Sequence, residues 1–87
     1  MKYFKRIWNK SDGELHEGWG SATFYFEVDE SAFPIRQIEI YESGKVLKYD
    51  SNTLYDEHGG LGDQALDLEE FKEFEINQNE FHSAWQG

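Results

Sequence analysis

No cysteine occurs in the chain, which excludes disulfide staples, thiolate metal sites and a cysteine nucleophile together and fits a reducing compartment. Apolar stretches are short. Nothing after the opening Met-Lys-Tyr-Phe-Lys-Arg is long enough for the core of a signal peptide or for a membrane span, so a cytoplasmic location is expected. Bases are scarce and unevenly spread. Residues 50 to 87 set ten acids against Lys72 alone, whereas residues 1 to 49 hold eight acids and seven bases, within a net charge of -10. Residues 1 to 10 carry Lys2, Lys5, Arg6 and Lys10 with no acid, so the chain runs from a basic start to an acidic C-terminal part. Such a field repels nucleic acid and attracts basic proteins. The four early bases are expected to pair with the chain's own C-terminal acids rather than with phosphates.

Catalytic and cofactor signatures are missing as well. Gly59, Gly60 and Gly62 are followed by no Lys-Ser/Thr, and Asp56, Glu57 and Asp63 would repel a phosphate there. His16, His58 and His82 show no metal-binding i, i+4 spacing with a partner, and His82 is expected to face solvent. Asp56, Glu57, His58 and Asp63 do not follow the EF-hand pattern, which leaves a solvated acidic loop. No G-x-S-x-G surrounds any serine. The expectation is a non-enzyme with no cofactor and no metal.

What the chain does have is aromatic bulk. Aromatics are 17% of its 87 residues, with three Trp, five Tyr and seven Phe. A single domain over residues 1 to 87 buries roughly 60 to 65% of its unfolded surface, and large rings let few residues build the core it needs. From Phe24 to Asp50 polar and apolar residues alternate. Phe24, Phe26 and Val28 share one parity, as do Ile38 and Ile40, with Gln37 and Glu39 on the other. Pro34 suits a first strand position, and Gly44 supplies the positive φ of a short hairpin before Val46, Leu47 and Tyr49. Residues 2 to 9 place Tyr3 and Ile7 on one side and Phe4 and Trp8 on the other, the pattern of a strand covered on both faces.

Asn9 to Gly20 has loop composition, with Leu15 and Trp19 able to fold back on the core, and Ser51 to Ala65 forms a second long loop. Beyond it one local device occurs twice. Asp67 and Asn77 are each followed three residues later by Glu70 and Glu80, and each is flanked by apolar residues, Leu66 and Phe71 or Ile76 and Phe81. Both are capping boxes with hydrophobic staples. The second opens a helix from about Gln78 to Gln86 whose stripe, Phe81, Ala84 and Trp85, lies on the sheet; the first gives one helical turn before an edge strand. The predicted fold class is α+β: an antiparallel four- to five-stranded sheet, with strands at about 2 to 9, 22 to 29, 35 to 42, 45 to 50 and 73 to 76, and a short C-terminal helix packed on one face.

The run FEVDESAFPIRQIEIYESGKVLKYD, then GGLGD, LDLEEF and EFEINQNEFHSAW, resembles a family of small acidic bacterial proteins catalogued as a domain of unknown function. Lys5 and Trp8, Glu27 and Asp29, Arg36, Ser43-Gly44, Gly60 to Gly62, Glu80-Phe81 and Trp85 carry the likeness, mostly as folding residues. It implies no catalytic position and a loose association with toxin and immunity neighbourhoods; the Gly-rich stretch between Asn9 and Ser21 departs from it.

Charge and resemblance together suggest a bacterial binding protein, an immunity-type inhibitor whose acidic C-terminal part engages a basic protein partner such as a toxin. Tyr55, Asp56, Glu57, Asp63, Asp67, Glu69 and Glu70 are the candidate partner-binding residues. A nucleic-acid mimic that inhibits a DNA-binding protein, or a non-catalytic accessory subunit, would explain the same acidity.

Overall fold

The computed structural model describes residues 1–8 and 18–87. The expectations for Leu15, His16 and the glycine-rich stretch before residue 18 lie outside them. Four strands, β1 (Lys2–Trp8), β2 (Ala22–Val28), β3 (Pro34–Tyr41) and β4 (Val46–Tyr49), are followed by a small hairpin of β5 (Tyr55–Asp56) and β6 (Gly59–Gly60). Helix α1 (Leu68–Phe71), a 3-10 turn at Lys72–Phe74, strand β7 (Glu75–Ile76) and helix α2 (Gln78–Gln86) complete the chain. The main sheet has the antiparallel order β4-β3-β2-β1-β7, so the expected α+β architecture with its C-terminal helix is present. The last strand is shorter than the expected 73 to 76, because residues 72 to 74 still turn helically after α1.

Residues directly opposite one another in an antiparallel ladder point to the same side, so the register sorts every side chain onto a face. Phe4 pairs with Phe26 and Trp8 with Ala22, while Tyr25 pairs with Ile38 and Tyr3 with Glu27. One face therefore carries Phe4, Phe26, Val28, Tyr41, Leu47 and Tyr49, and the other carries Tyr3, Tyr25, Ile38 and Ile40. Both are apolar, and both need a cover.

The two capped elements supply one cover each. Asp67 caps α1 by accepting from the amides of Glu69 at 3.0 Å and Glu70 at 3.3 Å, and Phe71 drops onto Phe4 and Phe26 beside Leu66. Asn77 caps α2 by accepting from Glu80 N at 2.8 Å, and Phe81 is fully buried against Tyr3 and Ile38 on the opposite face, beside Ile76. Both staples thus close as the sequence implies. The reciprocal half of each box is absent. Instead of reaching back to the cap, Glu70 binds Arg6 at 2.6 Å and Glu80 lies 3.8 Å from Lys5, since a full positive charge on β1 holds a carboxylate better than a solvated amide does. Lys2 lies 3.6 Å from Glu75 in the same way, so three of the early bases do face C-terminal acids.

Two turns depend on glycine. Gly44 has φ +98° in the β3–β4 connection, as its hairpin role requires, and at Gly60 a Cβ would stand 2.6 Å from the carbonyl oxygen of Leu54. The stretch from 51 to 65 is consequently not a plain loop; it folds into the β5–β6 hairpin, too short for any periodicity to announce it.

Trp85 and Ala84 lie partly exposed at the rim of the α2 contact, so the deep residue of the stripe is Phe81. Phe81→Ala should destabilise the fold by about 3 to 5 kcal/mol. Trp85→Ala should cost less than that, and Asn77→Ala about 1 kcal/mol through loss of the cap. Denaturant unfolding of the three variants checks the ranking, and equal costs at 81 and 85 would contradict the docking geometry.

Candidate functional site

The segment from Leu54 to Phe74 covers the face that carries Phe4, Tyr41 and Tyr49, and it brings the seven candidate residues to one side of the sheet in two groups. Tyr55, Asp56 and Glu57 belong to the β5–β6 hairpin, which sits over β3 and β4. Its Asp56 accepts from the Tyr49 hydroxyl, and Leu61 behind it packs with Tyr41, Leu47 and Tyr49. Asp67, Glu69 and Glu70 belong to α1, over β1 and β2. The groups are two strand spacings apart, roughly 10 Å. Asp63 lies in the exposed connector between them, next to Gly62.

The hairpin is tightly braced. Asp50 accepts from the amides of Asn52 at 2.8 Å and Thr53 at 2.9 Å, and Leu61 N donates to Leu54 O at 2.8 Å. Asp56 Oδ1 accepts from His58 N at 2.8 Å, Gly59 N at 3.2 Å and the Tyr49 hydroxyl at 3.0 Å. The His58 amide, chiefly, holds the Asp56 carboxyl below the usual carboxylate range; burial opposes it, and the Tyr49 hydroxyl and the Gly59 amide act with it. Burial and the hydrogen bond to Asp56 raise the Tyr49 phenol, so it stays a donor. The His58 ring stands edge-on to Trp19, with centroids 5.0 Å apart, and Trp19 in turn packs on Tyr41.

Beneath the hairpin lies a polar network that periodicity alone assigns only to the other side of β3 from Ile38. Gln37 and Glu39 are 5% and 7% exposed, as buried as the apolar core. Tyr41 Oη and Gln37 Nε2 each donate to Glu39 at 2.7 Å, and Gln37 Oε1 accepts from Gly62 N at 3.0 Å. Gln37 thereby fastens the covering segment to the sheet with both ends of its amide. The strand pattern could place these side chains on a face but could not reveal that the face was covered.

Not every candidate is available to a partner. Asp67 is spent on the α1 cap, and Glu70 on Arg6, whose guanidinium stacks 4.9 Å from Trp8 and 5.0 Å from Phe71. Glu57 points outward beside His58, at 3.6 Å. Among the described residues no base comes within ion-pairing distance of Asp63, Glu69 or Glu73. Glu73 was not among the expected residues, although it falls in the same acidic run.

The opposite face holds a second constellation. Arg36 Nε donates to Glu27, Arg36 Nη2 donates to His82 Nε2 at 3.0 Å, and the guanidinium lies 4.9 Å from the Phe81 ring and 5.0 Å from Trp85. Because a guanidinium only donates, His82 must accept at Nε2, which puts its ring proton on Nδ1. His82 is therefore partly buried against the sheet and does not face solvent as its position outside the Phe81/Ala84/Trp85 stripe suggests. Tyr3 joins the group through Glu27; burial, first, and then that contact raise its phenol. These groups clamp α2 to the sheet.

Among the described residues no helix is long and apolar enough to cross a membrane. Comparison of the chain with protein-family models, curated proteins and solved structures gives no match.

The depressed Asp56 sets the pH response of the hairpin. A carboxylate whose folded pKa is lowered contributes order that is present above its unfolded pKa and lost as pH falls through the folded value. In an NMR titration the Asp56 carboxyl and the amides of His58 and Gly59 should therefore hold through the normal carboxylate range and shift together below it. Tyr49→Phe should move that joint transition upward; independent transitions would show that Asp56 does not brace the turn.

Proposed function

We propose that this chain is a small non-catalytic binding protein of the bacterial cytoplasm, an immunity-type inhibitor that engages a basic protein partner through the acidic cover of its sheet. One observation carries the reading: the charge is divided by face. Residues 54 to 74, which make up the cover over Phe4, Tyr41 and Tyr49, contain seven acids and Lys72. On the other face Lys5, Arg36 and Lys48 offset Glu27 and Glu80 around α2. Lys2, Lys5 and Arg6 are already matched within the chain, so the acidic side keeps its field for an approaching cationic surface. A protein whose own target is an anionic polymer presents such a surface, and masking it needs no reacting group.

The test is co-expression with the products of adjacent reading frames, followed by kinetics on the complex recovered. Asp63→Lys, Glu69→Lys and Glu73→Lys together spare the α1 cap and the Arg6 pair. They should slow association by on the order of tenfold or more at low salt and flatten its salt dependence. No complex with any neighbouring product, or a complex whose association ignores the three reversals, overturns the proposal.

A further inference from the structure

Leu54 and Tyr55 are 55% and 78% exposed, in a chain that buries Tyr3, Tyr41 and Tyr49 and half-buries Tyr25. The backbone that presents them is fixed on both sides. Leu54 O accepts from Leu61 N at 2.8 Å, Tyr55 pairs with Gly60, and Gly60 has no room for a side chain against Leu54 O and the Tyr55 Cβ. The hairpin is also held to the sheet by Asp56 on Tyr49 and by the Gln37 side-chain amide, 3.4 Å from Gly60 O. A braced backbone loses little further freedom on binding, which is the setting of an interface anchor.

The surroundings select the occupant. No Lys or Arg occurs between Lys48 and Lys72. Asp56 and Glu57 follow Tyr55 in the chain, Asp50 accepts from the amide of Thr53 just before Leu54, and the backbone amides on Asp56 keep it ionised. An apolar pair at the open end of an acidic hairpin is repelled by nucleic acid, by an anionic bilayer and by a second hairpin of its own kind.

We infer that the β5–β6 hairpin anchors the complex, with Leu54 and Tyr55 seated in an apolar recess of the partner protein whose rim carries lysine or arginine. This rests on the reading above and divides its labour: the carboxylates of the cover govern the encounter, and Leu54 and Tyr55 govern how long the complex lasts.

The measurement uses the complex of the full chain with the co-expressed neighbouring product. Tyr55→Ala and Leu54→Ala should each raise the dissociation rate, Tyr55→Ala by roughly 30-fold, with association unchanged. Tyr55→Phe should dissociate nearly as the parent does, and free Tyr55→Ala should melt at the parent temperature, which separates lost contact from lost fold. If a complex forms and obeys the charge reversals but dissociates from the two alanine variants at the parent rate, the anchor is wrong and the binding reading stands. If no complex forms, both fall. If the free chain is a dimer that Tyr55→Ala disperses, the occupant is a second copy and this inference is overturned.

Discussion

Everything in this fold depends on covering a sheet that is apolar on both sides with what one short C-terminal segment can provide. Strand β1 places Phe4 and Trp8 on one face and Tyr3 on the other, and the aromatic residues of β2 and β3 repeat the division. Neither cover is thick: α1 contributes four residues and α2 nine. Helices this short do not persist in water, so each is stable only as docked, on a phenylalanine in its first turns. Ion pairs from β1 to Glu70 and Glu80 set where the covers lie, while the burial of Phe71 and Phe81 supplies most of the stability; exposed pairs of this kind are worth up to about 1 kcal/mol each.

Much of this was legible. Strict alternation in β2 and β3, the glycine of the β3–β4 turn and the doubled cap-and-staple device specify local geometry, so they survive being read one residue at a time. The failures share a cause. Glu70 and Glu80 were readable as partners for their own caps, but bases 64 and 75 positions earlier compete for them, and only the assembled sheet brings those bases near. His82 turned inward for the same reason, because Arg36 on β3 waits under α2. Burial of Gln37 and Glu39, and the β5–β6 hairpin itself, depend on contacts between segments that carry no shared local signal.

The candidate surface was legible only as composition. An acidic run from residue 50 onward is plain in the sequence, yet it does not distinguish a carboxylate that caps a helix from one that faces water. Asp67 and Asp63 look alike there. The structure separates them by their bonds, and leaves Asp63, Glu69 and Glu73, with the outward Glu57, as the carboxylates with least to do inside the chain. It also leaves Leu54 exposed, a residue that composition gave no reason to single out.

The position of β1 inside the sheet, between β2 and β7, bears on how the chain is made. Tyr3 pairs with Ile76, among the most distant partners the sequence offers. A growing chain can zip β1, β2, β3 and β4 as successive neighbours, but the inner strand keeps one unpaired edge, and the Tyr3–Ile38 face stays bare, until residues 75 to 86 exist. Long-range closure of this kind is slow and leaves a sticky intermediate. For a nascent chain, the interval before residues 75 to 86 dock is therefore the interval of greatest risk, and β1, made before the three strands that zip onto it, is sealed after them.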